Sequence, residues 1–135
     1  IIRTNFYGRG LSWRPSFSAW IIESLKKGNQ LRLFNDVYFT PLLVDALCSK
    51  IEEGIDVNLK GILNIAGAER VSKFEFGVRL AKVFGFDVNL IESISVRDFA
   101  FKARRPLDMS LSITRAQGLF RTSFLGLDES LMLLR

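Results

Sequence analysis

Gly61-Ile62-Leu63-Asn64-Ile65-Ala66-Gly67-Ala68-Glu69-Arg70-Val71-Ser72-Lys73-Phe74-Glu75-Phe76 decides the fold. Residues 61–66 are mostly apolar and short, the pattern of a buried strand. Ser72 and Glu75 then stand at capping-box spacing. There a hydroxyl and a carboxylate each take a backbone N–H that a helix start leaves without an intrahelical partner. Val71 and Phe76 flank the box as a hydrophobic staple. The helix they open is expected to run to about Phe84 and to stop at Gly85, a residue suited to the left-handed turn that closes helices. A strand feeding a well-started helix is the building unit of an α/β fold.

The same alternation extends toward the N-terminus. Residues 1–6 read as a buried strand broken by Gly8 and Gly10. Pro15 suits the first position of a helix carrying Phe17, Trp20, Ile21 and Leu25 at helical spacing, with Gly28 as its stop. Residues 31–34 and 37–39 read as short strands around an Asn35-Asp36 turn. Thr40-Pro41 predicts a second helix start, followed by an apolar stripe of Leu43, Val44, Leu47, Cys48 and Ile51 that ends near Gly54. Cys48, lying on the stripe, reads as a small core residue. Beyond Gly85, residues 87–94 suggest a strand, and residues 96–104 carry no clear period. Residues 114–119 suggest a short helix, and Asp128 a cap for a last helix holding Leu131 and Leu134.

Composition narrows the function classes. The chain has 135 residues, enough for one domain, and 48% of them are hydrophobic with 12 Phe, which argues for a packed core. The longest apolar runs fall far below a membrane span. No export signal is visible, and one cysteine cannot form an internal disulfide, so a reducing cytoplasm is expected. The chain contains no histidine, which removes the commonest general base and metal ligand, and no metal site is expected. A net charge of +5 fits either nucleic acid or a phosphate-bearing small ligand. The cations are scattered apart from Lys102-Ala103-Arg104-Arg105, and no nucleic-acid motif accompanies them, so a nucleic-acid partner is disfavoured.

Two motifs of cofactor chemistry fail. Gly8-Arg9-Gly10-Leu11-Ser12-Trp13 lies between a strand and a helix, yet Trp13 occupies the place where a dinucleotide fingerprint needs glycine for close packing. The stretch therefore reads as a plain loop. Tyr7 and Tyr38 are each followed four residues later by leucine (Leu11 and Leu42), so neither forms Tyr-x-x-x-Lys. No catalytic and no cofactor-binding residue is assigned.

Four spaced segments carry a family resemblance. They are Ile2-Arg3-Thr4-Asn5-Phe6-Tyr7-Gly8, then Phe39-Thr40-Pro41 with Asp45, then Ile65-Ala66-Gly67 leading into Ser72-Lys73-Phe74-Glu75-Phe76, and last Arg105-Pro106-Leu107-Asp108. In this order they resemble the C-terminal, substrate-binding half of an extended short-chain dehydrogenase/reductase of the dTDP-4-dehydrorhamnose reductase-like type. The resemblance implies an α/β fragment, residues 1–135 as one substrate-binding unit, whose first eight residues normally join a Rossmann sheet. It also implies that the dinucleotide-binding half lies outside this chain, so the strand edge at residues 1–6 needs that half or a second chain to cover it.

Site residues follow from the same resemblance. Asn5 and Phe6 would border the sugar, and Thr40 would stand where the chain passes the nucleotide. Arg105 would bind the diphosphate through its planar guanidinium, and Asp108 would accept the ribose hydroxyls. Ser72 to Phe76 is assigned helix capping and no ligand role. The expected function is nucleotide-sugar binding, dTDP- or UDP-linked, within an NAD- or NADP-dependent reductase. The chain alone would hold no cofactor and would be inactive. A regulatory relative of the methionine adenosyltransferase regulatory-subunit type and a nucleotide-sugar epimerase or dehydratase share this half, and both readings stay open.

Overall fold

The computed structural model describes residues 1–11 and 13–135. Ser12, inside the glycine loop considered above, lies outside the described residues. In chain order the elements are β1 (Ile2–Arg3), β2 (Phe6–Tyr7), β3 (Gly10–Leu11), β4 (Arg14–Pro15), α1 (Phe17–Lys26), β5 (Leu31–Phe34), β6 (Tyr38–Phe39) and β7 (Leu42–Leu43). Then come α2 (Val44–Asp56), β8 (Leu63–Asn64), β9 (Val71–Ser72), α3 (Lys73–Phe84), β10 (Ile91–Ile94), α4 (Thr114–Gln117) and α5 (Leu127–Leu134). Short 3₁₀ turns, Val88–Leu90 and Val96–Asp98, bracket β10.

Among the described residues the strands form five two-stranded pairs. Three are parallel: β1 with β8, β2 with β7 and β5 with β10. Two are antiparallel: the β3–β4 hairpin, and β6 with β9. Parallel pairs need crossovers, and the helices supply them, which is why the alternation in the sequence translates into α/β layering.

Helix α3 is the organising element and begins as its sequence requires. The Ser72 hydroxyl accepts from the Glu75 N–H at 3.0 Å, and a Glu75 carboxylate oxygen accepts from the Ser72 N–H at 2.7 Å. Val71 and Phe76 are buried in one apolar cluster, and Gly85 closes the helix with φ +74. That cluster gathers β5, β10, α1, α3 and α5 around Phe76, Leu80, Ile21 and Leu131. A second cluster, around Leu47, Ile65, Ala116 and Phe120, joins α2, the residues after β8, and α4. Arg79 clamps α3 to its neighbours: Nη1 donates to Glu69 and Nε to Asp128, both at 2.6 Å.

Several local expectations give way to tertiary contacts. The first strand divides into β1 and β2, which pair with different partners. Pro15 ends the hairpin and does not begin α1; the cap is Ser16, whose hydroxyl accepts from the Ala19 N–H at 3.1 Å. Helix α2 starts at Val44 and has no side-chain cap, because Thr40 spends its hydroxyl elsewhere and Leu42–Leu43 pairs with β2. Its buried face is Leu47, Lys50 and Gly54. Cys48 is exposed, so its assignment to the core is wrong.

Lys50 takes the inner position, 4% exposed, because its cation is matched. The ammonium donates to the Thr122 carbonyl and hydroxyl and sits 4.5 Å from the Phe124 ring centre, leaving the stem to fill the apolar stripe. The strands expected at 61–66 and 87–94 shorten to β8 and β10. Asp128 does not cap α5. Gly126 is the cap, and Glu129 accepts from its N–H at 3.1 Å.

Candidate functional site

Residues far apart in the chain meet beside the β6–β7 connection. Asn5, just before β2, accepts through Oδ1 from the Thr40 N–H at 3.2 Å and from the Thr40 hydroxyl at 3.0 Å. Thr40 Oγ1 also accepts from the Leu111 N–H at 3.2 Å, and its carbonyl accepts from the Gly67 N–H at 3.0 Å. Asn5 and Thr40 are thus brought together, and both hold the backbone that shapes the site. Phe6 projects outward at 63% exposure, so its ring is available to whatever covers this face.

Asp108 lies on the next segment, in a bridge with Tyr38. Its Oδ2 accepts from Arg70 Nε at 3.0 Å and Nη2 at 2.9 Å, and its Oδ1 accepts from the Ser110 N–H at 2.9 Å and hydroxyl at 2.6 Å. The Ser110 hydroxyl and N–H, with the Arg70 guanidinium, hold this carboxyl down at about 2, ionised at neutral pH. The Arg70 guanidinium also lies 3.7 Å from the centre of the Tyr38 ring. Arg105 is not Asp108's partner; its guanidinium sits 5.5 Å from the Phe101 ring centre.

Arg105 lines a cleft of about 480 Å³ together with Arg97, Phe99, Phe101, Arg104 and Pro106. The lining follows the end of β10, and Phe34, which ends β5, packs edge-on against Phe99 and Phe101, so the cleft lies beyond the carboxyl ends of two parallel strands. That is where open α/β sheets bind ligands. Asp36 fixes the start of the wall by accepting from the Ser95 hydroxyl at 2.6 Å and the Val96 N–H at 2.9 Å. Those same contacts, the Ser95 hydroxyl foremost, lower the Asp36 carboxyl below the usual carboxylate range.

Sequence reasoning missed three features. Arg70 stands 38 positions from Asp108, a separation no local pattern reports. The Phe99–Phe101 wall falls in residues 96–104, which lack a period. Lys73 was read as capping sequence alone. Its ammonium lies 3.4 Å from the Phe39 ring centre and 4.6 Å from that of Phe17, with no carboxylate partner among the described residues.

Burial pushes Lys73 from 10.5 down to about 8. Its folded value lies below its ordinary one, so keeping the charge costs stability below pH 8, and that cost fades as pH rises from 8 toward 10.5. The aromatic faces offset part of the cost. Lys73→Met is therefore expected to stabilise the chain by about 1–2 kcal/mol near pH 6.5 and to lose most of that gain by about pH 10. Urea unfolding at the two pH values checks it; a gain independent of pH would contradict the charge argument.

The glycine stretch does not fit the loop that cradles a dinucleotide cofactor. Gly10 and Leu11 pair with Arg14 and Pro15 as a hairpin, and the Gly8 carbonyl accepts from the hydroxyls of Ser16 and Ser18. An added Cβ at Gly10 would lie 2.5 Å from the Ser16 nitrogen, so this glycine, at φ +71, serves a close backbone approach within the hairpin. Tyr7 is a core residue, 3% exposed and edge-on to Phe76, and burial pushes its hydroxyl up to about 12, away from proton transfer at neutral pH.

This architecture is that of the C-terminal, substrate-binding part of extended short-chain dehydrogenase/reductases. The fold matches the dTDP-4-dehydrorhamnose reductase of Bacillus anthracis, solved in complex with NADP, with a TM-score of 0.86 and 21% identity over 99% of this chain and 47% of that one. A hypothetical dTDP-4-dehydrorhamnose reductase of Sulfolobus tokodaii matches with a TM-score of 0.76 and 30% identity, covering 95% of this chain and 45% of its own. The chain belongs to the RmlD substrate binding domain family, whose model matches residues 1–132. The probable low-salt glycan biosynthesis reductase Agl14 of Haloferax volcanii is 31% identical over 121 residues, 87% of this chain and 40% of that protein. The chain therefore spans less than half the length of each of these relatives.

Proposed function

We propose that this chain binds the nucleotide sugar within an NAD- or NADP-dependent sugar-nucleotide reductase of the dTDP-4-dehydrorhamnose reductase type. The family match across residues 1–132 carries the reading. The cation-lined cleft at Arg105 supports it, because a guanidinium without a carboxylate partner among the described residues is free to take two phosphate oxygens. In this reading Arg105 binds the diphosphate. Asp108 accepts ribose hydroxyls in competition with Ser110, and Asn5 and Thr40 hold the backbone beneath the sugar. Phe6 faces the sugar or the cofactor-binding half.

The whole protein would reduce a keto sugar with hydride from NADH or NADPH, in the cytoplasm. The cofactor would be held by residues beyond these 135. The same residues, or a second chain, would cover the apolar edge that Ile1, Ile2 and Ile62 leave exposed. Remote nucleotide contacts of this kind position the reacting carbon, so they act on rate as well as on affinity.

Calorimetric titration with dTDP-rhamnose, dTDP and UDP tests the reading. Diphosphate-dependent binding is expected, weakened about tenfold or more by Arg105→Ala, in line with the loss of a charge-assisted pair. Equal affinity in the variant would remove Arg105 from the site. A folded chain that binds none of the three would overturn the function.

A further inference from the structure

Lys50 and Lys73 both sit against aromatic rings, yet their ammonium groups meet opposite surroundings. Lys50 donates to the Thr122 carbonyl and hydroxyl and has Glu53 at 3.8 Å. Lys73 opens α3, and its Nζ lies 3.4 Å from the Phe39 ring centre and 4.6 Å from that of Phe17. Among the described residues it has neither a carboxylate nor a hydrogen-bond acceptor. The aromatic box around it is rigid. Phe39 is buried, and Phe17 is stacked at 6.0 Å on Trp20 and at 5.6 Å on Phe76. Each acid on the neighbouring elements is committed elsewhere. Glu75 accepts from the Ser72 N–H at 2.7 Å, and Glu69 accepts from Arg79 and the Leu127 N–H. Glu23 on α1 pairs with Lys26, and Asp36 before β6 is held by Ser95 and Val96. The one cation close in sequence, Arg70, is paired with Asp108. An ammonium so placed is desolvated without an ion pair, so a reaction that removes its charge is favoured there. Lys73 is only half-buried, which keeps its amine within reach of a small reagent.

We propose that Lys73 is the preferred acylation site of this chain, taking its acyl group from a small acyl thioester. The neutral amine adds to the thioester carbonyl carbon, so a C–N bond forms and the C–S bond breaks. The thiolate leaves, the proton released by nitrogen passes to it or to water, and nothing is oxidised or reduced. The aromatic box favours both ends of this step. Burial against Phe17 and Phe39 disfavours the ammonium and leaves more free amine, the nucleophilic form, in keeping with the lowering to about 8 described above. The product is a neutral amide with an apolar methyl, which ring faces accept more readily than an unpaired cation. The amide gives up the attraction between cation and rings, a smaller effect than an uncompensated buried charge. Lys50 marks the contrast: its ammonium is matched by Thr122 and Glu53, so it stays charged and unreactive.

The test treats the 135-residue chain near neutral pH with a limiting amount of S-acetyl-N-acetylcysteamine. Labelling is then completed in urea with deuterated acetic anhydride, and mass spectrometry reads the isotope ratio at each lysine. Lys73 is expected to acylate about tenfold faster than the exposed Lys26, Lys60, Lys82 and Lys102, with Lys50 the slowest of all. In concentrated urea the preference should vanish, because the box no longer exists. The chain acetylated at Lys73 should melt at a higher temperature than the unmodified chain, since the amide removes an unpaired buried charge. Lys73→Arg keeps the cation without the nucleophile, and it should lose the fast site while the other lysines react as before. A chain with a cooperative urea transition in which Lys73 labels no faster than Lys82 would overturn the proposal. A preference that survives urea would overturn it as well, by tracing the reactivity to local sequence. So would a lowered melting temperature after acetylation of Lys73, because the box would then favour the ammonium.

Discussion

Phe76→Ala is expected to cost about 3–5 kcal/mol of folding free energy, a large part of what a domain of this size possesses. Phe76 is fully buried, and its ring meets three others: Tyr7 at 5.1 Å, Phe39 at 5.5 Å and Phe17 at 5.6 Å. Those three come from β2, β6 and the start of α1, so one ring on α3 ties the N-terminal segment, the site-bearing β6 and the first helix together. Truncation removes the transfer free energy of the ring and leaves a cavity bordered by rigid aromatic neighbours that relax little. Urea unfolding should report a lowered midpoint with an unchanged slope. Phe76→Leu, which retains most of the volume, should cost well under half as much. A loss below about 1.5 kcal/mol for the alanine variant would mean that the cluster closes around the gap, and that Phe76 does not organise the core.

That cluster also shows which parts of the fold were legible. The α3 start was readable because Ser72, Glu75, Val71, Phe76 and Gly85 act on one another within a few residues, and local geometry alone satisfies them. Strand β5 was readable for the same kind of reason: a short apolar run ended by Asn35 and Asp36. The start of α2 was misread because Thr40 has two possible uses. A hydroxyl before proline can cap a helix, but here Asn5 and Leu111, one 35 residues before and the other 71 after, claim it, and the helix begins four residues later. Cys48 and Lys50 exchange their expected places because the stripe admits a lysine once Thr122, Glu53 and Phe124 satisfy its charge. Periodicity ranks residues by polarity and cannot see such partners.

The candidate site divides in the same way. Arg105 and Asp108 were singled out through a motif, and in the structure Asp108 is held by Arg70 and Ser110 while Arg105 faces the aromatic wall. Their separation of three residues in a loop carries no fixed geometry, whereas three residues on a helix would. The consequence is functional. An Asp108 held ionised by four hydrogen bonds, two from Arg70 and two from Ser110, offers a ligand an acceptor only in competition with those donors, whereas Arg105 has no ion pair among the described residues.

Gly67→Ala is expected to be the other severe substitution, at about 3 kcal/mol, the upper end for overpacking. A Cβ there would lie 2.0 Å from the Pro41 carbonyl oxygen and 2.8 Å from the Pro41 carbonyl carbon, both backbone atoms of a segment held at each end. Thr40 on that segment accepts the Gly67 N–H and is itself fixed by Asn5 and Leu111, so the strain cannot be relieved without breaking the site's own hydrogen bonds. For 135 residues this corresponds to a fall of roughly 10 °C in melting temperature. Amide chemical-shift changes should concentrate at Asn5, Thr40 and Leu111. Gly77→Ala is the natural control. Its Cβ would approach Leu33 Cδ1 at 2.2 Å, nominally as close, but that atom is the tip of a side chain that can turn away, and alanine gains about 1 kcal/mol of helix propensity over glycine. If Gly77→Ala proved the more damaging of the two, the backbone clash at Pro41 would not be what fixes the floor of the site, and the fixed placement of Thr40 would need another cause.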